Sequence, residues 1–202
     1  MTTIEEALNQ YARTIDSLLK RFPDEEEDIK NKYSLVLSDK WKMSAEEIEQ
    51  EQNDLNLKYP NDIVNFKKEI GNFQIGEQKE DGYGNYNRPV FGFMPLLEWW
   101  GQSTELEDEF SHSDEGFDVL TEKLSRYIIF FGEINCIDSV HYCLDTATRN
   151  KESNEMNIEQ FHQDSWYPLA MNEVETCEES SVFEKFVIEF IGEKIEFLRK
   201  EF

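Results

Sequence analysis

The first third of the chain shows apolar residues at intervals of three and four, the spacing typical of amphipathic helices. We predict a first helix that ends at Pro23, with a buried face formed by Ile4, Ala7, Leu8, Tyr11, Ile15, Leu18 and Leu19. The acidic run that follows suits the first turn of a second helix, because carboxylates are favoured at the positive end of the helix dipole. Its predicted buried stripe consists of Ile29, Tyr33, Val36 and Leu37.

Two further helices are predicted from their ends. Ser44 and Glu47 have the S-x-x-E spacing of a capping box, which starts the third helix. The fourth begins at or just after Pro60, since proline suits the first helical position. Gly71 stands where a left-handed C-terminal cap is required.

After Gly71 the pattern changes to the alternation of β-strands. Strands are predicted at 73–75, at 90–93, at 127–133 and at 139–144, with a further edge strand around Met156 and Ile158. A short helical turn after Pro95 carries Trp99 and Trp100, and we expect one of these neighbours to be partly exposed. Helices are also predicted at 114–126 and at 181–200, the latter with a second capping box formed by Ser181 and Glu184.

Helices on both sides of a run of strands indicate an α+β protein. We expect a central twisted, mostly antiparallel sheet flanked by helices. Residues 1–43 are predicted to form an N-terminal helical extension, and residues 44–202 the α+β domain. The role of the extension and the oligomeric state are left open by the sequence.

Composition then limits the possible partners. The 202 residues include 44 Asp and Glu against 20 Lys and Arg, a formal net charge of -24. This surplus excludes nucleic acid and an anionic membrane surface as partners, because both bind clustered Lys and Arg. Aromatic residues make up 13% of the chain, which indicates a folded core rather than a disordered acidic segment. Solubility alone could explain the charge.

The distribution of the charge argues for more than solubility. Residues 72–120 and 127–182, the predicted strands and their loops, each carry a net charge of -9, whereas the early helices are mixed in sign. Aromatic residues lie beside this acid, and interfaces favour Tyr and Trp at their centres with charge at the rim. The predicted partner-binding residues are Glu77, Glu80, Asp81, Tyr83, Tyr86, Trp100, Glu105, Glu107, Asp108, Glu109, Glu175 and Glu178.

The Cys residues and the N-terminal sequence indicate the cellular compartment of the protein. Cys136, Cys143 and Cys177 are odd in number and form no C-x-x-C pair, which favours free thiols in a reducing compartment. The N-terminus has early acids and no apolar run, so no signal peptide is predicted. The apolar run at 127–131 is too short to span a bilayer. We therefore predict a cytoplasmic protein.

Candidate chemistry is sparse. His112 lies in S-H-S-D-E and could join a nearby acid on a metal, but no metal-binding motif is present. His141 is expected on the polar face of its strand. A Cys-His nucleophile pair, with Cys136 or Cys143 beside His141 or His162, is conceivable. We predict no catalytic residue, no metal site and no cofactor, and a hydrolase stays the least favoured alternative.

Four blocks of sequence resemble the SUKH superfamily, the Smi/Knr-like domains, in the right order. In residues 44–72 the matching positions are Ile48, Leu55, Tyr59, Pro60, Ile63, Phe66, Ile70 and Gly71. The later blocks are MPLLEWW, IIFFGE followed by VHYCLD, and the segment from WYPLA to the last helix. The resemblance covers about three quarters of the chain and departs from the family at an acidic insertion, residues 171–178.

This resemblance implies a non-enzymatic binding domain of the bacterial immunity type. Its partner would be a cognate toxin domain, basic and nuclease- or deaminase-like, whose active cleft it masks. The alternative is a regulatory interaction scaffold of the cell-wall-regulator type. Pro60, Phe66, Gly71, Gly132, Tyr142 and Asp145 are matched as fold markers only.

Overall fold

A computed structural model describes residues 2–76, 90–101, 116–134, 139–162 and 166–202. The chain divides into two compact units. The first consists of Met1–Glu49, Asn61–Val90 and Phe183–Phe202, and the second of Gln50–Pro60 and Phe91–Val182. The predicted boundary at residue 43 stays a prediction.

The first unit begins with α1, Ile4–Arg21. Its N-terminus is closed by a reciprocal capping box, in which Thr3 Oγ1 accepts from the Glu6 N–H at 3.2 Å and a Glu6 carboxylate oxygen accepts from the Thr3 N–H at 2.9 Å. One face is buried, formed by Ile4, Ala7, Leu8, Tyr11, Ile15 and Leu18. The helix ends two residues before Pro23, so the predicted first helix is confirmed.

The second helix, α2, is Glu26–Tyr33 and is shorter than predicted. The chain turns extended at Ser34 and forms a strand, β1, at Leu35–Leu37. This strand pairs antiparallel with β2, Phe73–Ile75. The expected helical burial of Val36 and Leu37 is therefore wrong, and Leu37 is 55% exposed. A β-branched residue between two leucines suits the pleated edge that β2 offers, and this pairing across the sequence overrides the helical spacing.

Both predicted helices before Gly71 are present, as α3 at Ala45–Asp54 and α4 at Asn61–Glu69. The Ser44–Glu47 capping box forms, with the Glu47 carboxylate accepting from the Ser44 N–H at 2.7 Å. Gly71 has a φ of 75° and its N–H donates to Phe66 O at 2.7 Å. A Cβ at Gly71 would lie 2.1 Å from the Trp41 backbone, so only glycine fits this cap.

The last helix, α8, is Val182–Glu201 and has a broad apolar face. Its predicted Ser181–Glu184 capping box is wrong, because Ser181 has a φ of 55° and so cannot take the extended conformation of a capping residue. Distant carboxylates accept from the first N–H groups instead. Within the first unit, Asp62 Oδ2 accepts from the Glu184 N–H at 3.0 Å.

The second unit contains a four-stranded antiparallel sheet in the order β3-β4-β5-β6. These strands are Phe91–Pro95, Tyr127–Ile134, Ser139–Asp145 and Ile158–His162. Its described residues also form the helices α5 at Leu96–Gly101, α6 at Phe117–Leu124 and α7 at Trp166–Met171. Its core includes Leu96, Trp100, Leu120, Leu124, Tyr127, Ile129, Cys143, Phe161, Trp166 and Leu169. The predicted α+β class with antiparallel strands is confirmed.

Candidate functional site

The structure places only three of the twelve predicted partner-binding residues. Glu77, Glu80, Asp81, Tyr83, Tyr86, Glu105, Glu107, Asp108 and Glu109 lie outside the described residues. Glu175 and Glu178 are exposed. Trp100 is 0% exposed, so its prediction as a contact residue is wrong for this conformation. It lies four residues after Leu96 on the same helical face, and both side chains point into the core.

Trp99 is the partly exposed member of the pair, as expected, and its ring also packs against His141. The two ring centroids are 4.2 Å apart. His141 is 3% exposed, so its predicted position on the polar face of β5 is also wrong. Its Nε2 is buried and has no hydrogen-bond partner among the described residues. Burial, helped by the charge of His162, lowers the pKa of His141 to about 4, and the ring is therefore neutral at pH 7.

The described part of the second unit contains one long acidic segment with no regular structure, residues 172–180, which we call the acidic loop. It carries Glu173, Glu175, Glu178 and Glu179, all exposed. Between Lys151 and Lys185 the sequence has nine acidic residues and no Lys or Arg. No described cation lies within ion-pair distance of Glu173, Glu175 or Glu178. These three carboxylates face solvent, and no cation in the described part of the chain neutralises them.

The middle of the acidic loop is held by Cys177, which is buried between exposed neighbours. Its N–H donates to Thr148 O at 2.8 Å, and its carbonyl accepts from Asn150 Nδ2 at 3.1 Å. Asn150 is itself held, because its Oδ1 accepts from the Glu152 N–H at 2.9 Å. The backbone N–H and carbonyl of Cys177 are thus both hydrogen-bonded, to Thr148 and to Asn150, and this part of the loop is fixed. The glutamates on either side face solvent.

A second set of contacts fixes the start of the loop. Asn157 Nδ2 donates to Glu175 O at 3.4 Å, and Asn172 Nδ2 donates to a Glu159 carboxylate oxygen at 3.3 Å. Val174, between these two points, is 52% exposed. The loop therefore presents an apolar side chain among its carboxylates, and its backbone is held on both sides of that residue.

Next to the loop lies a group of buried and half-buried polar side chains that we call the polar network. Tyr127 and Asp145 are buried, and Arg126, Glu159 and Asn172 are half-buried. Arg126 Nη2 lies 3.2 Å from Asp145 Oδ2, and the two side chains are 15% and 1% exposed. The same nitrogen donates to Tyr127 Oη at 2.6 Å and to Asn172 O at 3.1 Å. One guanidinium therefore joins the ends of β4 and β5 to the first residue of the acidic loop.

Asp145 also connects the network to the far side of the loop. Its Oδ1 accepts from the Ala147 N–H at 3.0 Å and so caps the short 3-10 helix Thr146–Thr148. The last residue of that helix supplies the carbonyl that accepts from Cys177. One carboxylate thus supports both held regions of the loop, through Arg126 on one side and through the 3-10 helix on the other.

Burial dominates the electrostatics of the network. It raises the pKa of the Asp145 carboxyl despite the nearby Arg126 guanidinium, which lowers it. Burial and the charge of Asp145 likewise raise the pKa of Glu159. The network therefore contains two carboxyl groups, those of Asp145 and Glu159, and one guanidinium, that of Arg126.

The described residues hold little that points to catalysis. Burial raises the pKa of the Cys143 thiol above its ordinary range, which keeps the sulfur protonated and weakly nucleophilic. Cys143 and Cys177 are both free. Cys136 and His112 lie outside the described residues. Within the described ranges, no three His, Cys, Asp or Glu side chains are grouped as metal ligands would be.

No family model matches this chain, and no curated protein matches it. The SUKH resemblance stays a prediction based on the four sequence blocks. Among the described residues, no helix combines the length and the apolar character needed to cross a membrane.

Proposed function

We propose that this protein is a non-enzymatic, immunity-type protein that binds a basic toxin domain, nuclease- or deaminase-like, and masks its active cleft. The acidic loop is the observation that carries the proposal. Glu173, Glu175 and Glu178 are exposed and have no described cation partner, and the loop backbone is held by hydrogen bonds on both sides of Val174.

The chemistry of the proposed partner follows from its substrate. A domain that acts on nucleic acid has a cleft lined with Lys and Arg, since phosphates must be neutralised there. Carboxylates placed in that cleft occupy the positions of phosphates and exclude the substrate. Opposite charges also speed association, because they steer the two proteins before contact.

The held backbone of the loop supports tight binding. A flexible acidic tail would lose conformational freedom on binding, and that loss would reduce its affinity. Here the buried Cys177 and the polar network restrict the loop in the free protein. Val174 adds an exposed apolar contact between Glu173 and Glu175.

The first experiment asks whether a partner of this class exists. The chain is co-expressed with the product of the adjacent gene. Two results are recorded: whether the two proteins purify as a complex, and whether cells that express the toxin survive. We expect a stable complex and rescue. Failure of both would reject the proposal, and recovery of housekeeping proteins alone would favour the regulatory scaffold.

The second experiment assigns the surface. The triple variant Glu173→Lys, Glu175→Lys, Glu178→Lys is compared with Glu189→Lys, Glu193→Lys, Glu201→Lys, a control with the same change in charge at exposed positions of α8. We expect the loop variant to weaken toxin binding at least about a hundredfold at low salt. The control should weaken it less than about tenfold, by loss of general attraction. Equal effects would mean that net charge, and no particular surface, drives the complex.

A further inference from the structure

On the side away from β5, strand β6 has backbone groups that no described residue binds and that could pair with another strand. The Asp145 N–H donates to Asn157 O at 3.0 Å, and β5 and β6 continue from there in unbroken antiparallel register. Backbone groups in such a ladder point alternately towards the partner strand and away from it. Those of Ile158, Gln160 and His162 therefore point away from β5. They form no hydrogen bond with any described residue.

The opposite edge of the same sheet, strand β3, has features that block pairing with another strand, and β6 lacks them. Strand β3 has a register shift between Phe91 and Met94 and ends at Pro95, which has no N–H. Bulges, prolines and lysines are the usual means by which proteins block edge-to-edge pairing. Strand β6 reads Ile-Glu-Gln-Phe-His, without proline, lysine or a register shift.

The charge around β6 selects the kind of strand that can pair there. This strand lies within residues 152–184, which include nine acidic residues and no Lys or Arg. Pairing of two copies through this edge would bring two such stretches together, and like charges in close pairing are destabilising. A basic segment would be attracted to the same place.

We propose that the outer edge of β6 binds an extended basic segment of the partner protein by strand addition. This inference rests on the proposed function, since it describes how a basic partner would be held. Backbone hydrogen bonds to Ile158, Gln160 and His162 would supply affinity, and the surrounding carboxylates would select lysine or arginine side chains.

A synthetic peptide tests the edge directly on the whole chain. The probe is a short blocked peptide of alternating lysine and threonine, and the control is the same peptide with its edge-facing amides N-methylated. We expect hydrogen exchange at the Gln160 and His162 amides to slow by about tenfold or more with the probe and to stay unchanged with the control. Absence of this protection, or self-association of the free chain through β6, would overturn the inference.

A variant extends the test to the toxin domain. Gln160→Pro removes one outward N–H at an edge position that tolerates proline, so we expect a folded protein that binds the peptide about tenfold more weakly. The two proposals fail differently. No complex with the toxin rejects the proposed function. A complex that neither protects the β6 amides nor responds to Gln160→Pro rejects strand addition alone.

Discussion

The described ion pairs of the two units differ in where they lie. In the first, the ion pairs Lys30–Glu26, Lys42–Asp39 and Lys200–Glu196 join neighbours on the surface within one turn of chain. In the second, Arg126 and Asp145 come from different segments and meet in the interior. Surface pairs contribute little to stability, whereas removal of one partner from a buried pair is costly. Among the ion pairs of the described residues, the Arg126–Asp145 pair is therefore the one that supports a loop, because its Arg126 also donates to Asn172 O.

The largest expected effect comes from removing the buried cation. Arg126→Met leaves the buried Asp145 and the half-buried Glu159 without a neighbouring cation. We expect a loss of at least about 3 kcal/mol in the free energy of unfolding measured in urea. Lys30→Met is the matched change at a surface pair and should produce no resolved change.

A double variant sharpens this comparison. Asp145→Asn keeps the oxygen that caps the 3-10 helix and removes the charge, so Arg126→Met combined with Asp145→Asn should recover part of the lost stability. If the double variant is as unstable as the sum of the single ones, lost packing rather than an uncompensated charge explains the effect.

The next effect is a dependence on pH that belongs to the second unit. Because His141 has a pKa of about 4 in the folded state and about 6.5 when unfolded, the unfolded chain takes up the proton first as the pH falls. Stability should therefore be lost between pH 6.5 and pH 4, by about 2–3 kcal/mol. His141→Phe should lack this loss. The measurement is the free energy of unfolding in urea at a series of pH values. If it falls in parallel for wild type and His141→Phe, His141 does not titrate as described.

The acidic carboxyls of the polar network act in the opposite direction. Burial raises the pKa of Asp145 and of Glu159, so the folded state holds their protons more firmly than the unfolded chain does. Their contribution to stability therefore grows as the pH falls towards the ordinary range of a carboxyl. The carboxyl effect is present in both wild type and His141→Phe. The difference between their free energies of unfolding at each pH therefore reports His141 alone.

The smallest effect concerns the loop itself. Asn150→Asp keeps the side-chain oxygen that accepts from Glu152 and removes the N–H that donates to Cys177 O. We expect a loss of about 1 kcal/mol, together with faster hydrogen exchange at residues 172–180 and unchanged exchange in α1. Uniformly faster exchange in both units would mean that the loop has no separate support.

Local sequence signals predicted the elements that depend on local contacts. The stripe of α1, the Ser44–Glu47 capping box and the Gly71 cap involve residues a few positions apart, and all three are present. The errors arose where distant residues decide. Strand β1 exists because β2 pairs with it, and α8 is capped by Asp62, which lies far away in sequence.

The candidate site shows the same division between features that the local sequence predicts and features that depend on distant residues. The exposure of Glu175 and Glu178 follows from their charge, and the burial of Trp100 could have been inferred from its spacing to Leu96. The polar network could not be predicted, because Arg126, Asp145 and Glu159 come from three segments that only the folded sheet brings together. Nothing in their local sequence distinguishes them from the many other charged residues.

The most direct test of the proposed function is a hydrogen-exchange footprint of the whole chain in the presence of the product of the adjacent gene, the proposed toxin. If the acidic loop is the partner-binding surface, amides of residues 172–180 should exchange more slowly in the complex, and those of α1 and α2 should not change. The protection should weaken as salt is added, since exposed carboxylates carry the attraction. Protection confined to α1 and α2, with residues 172–180 unaffected, would contradict the account.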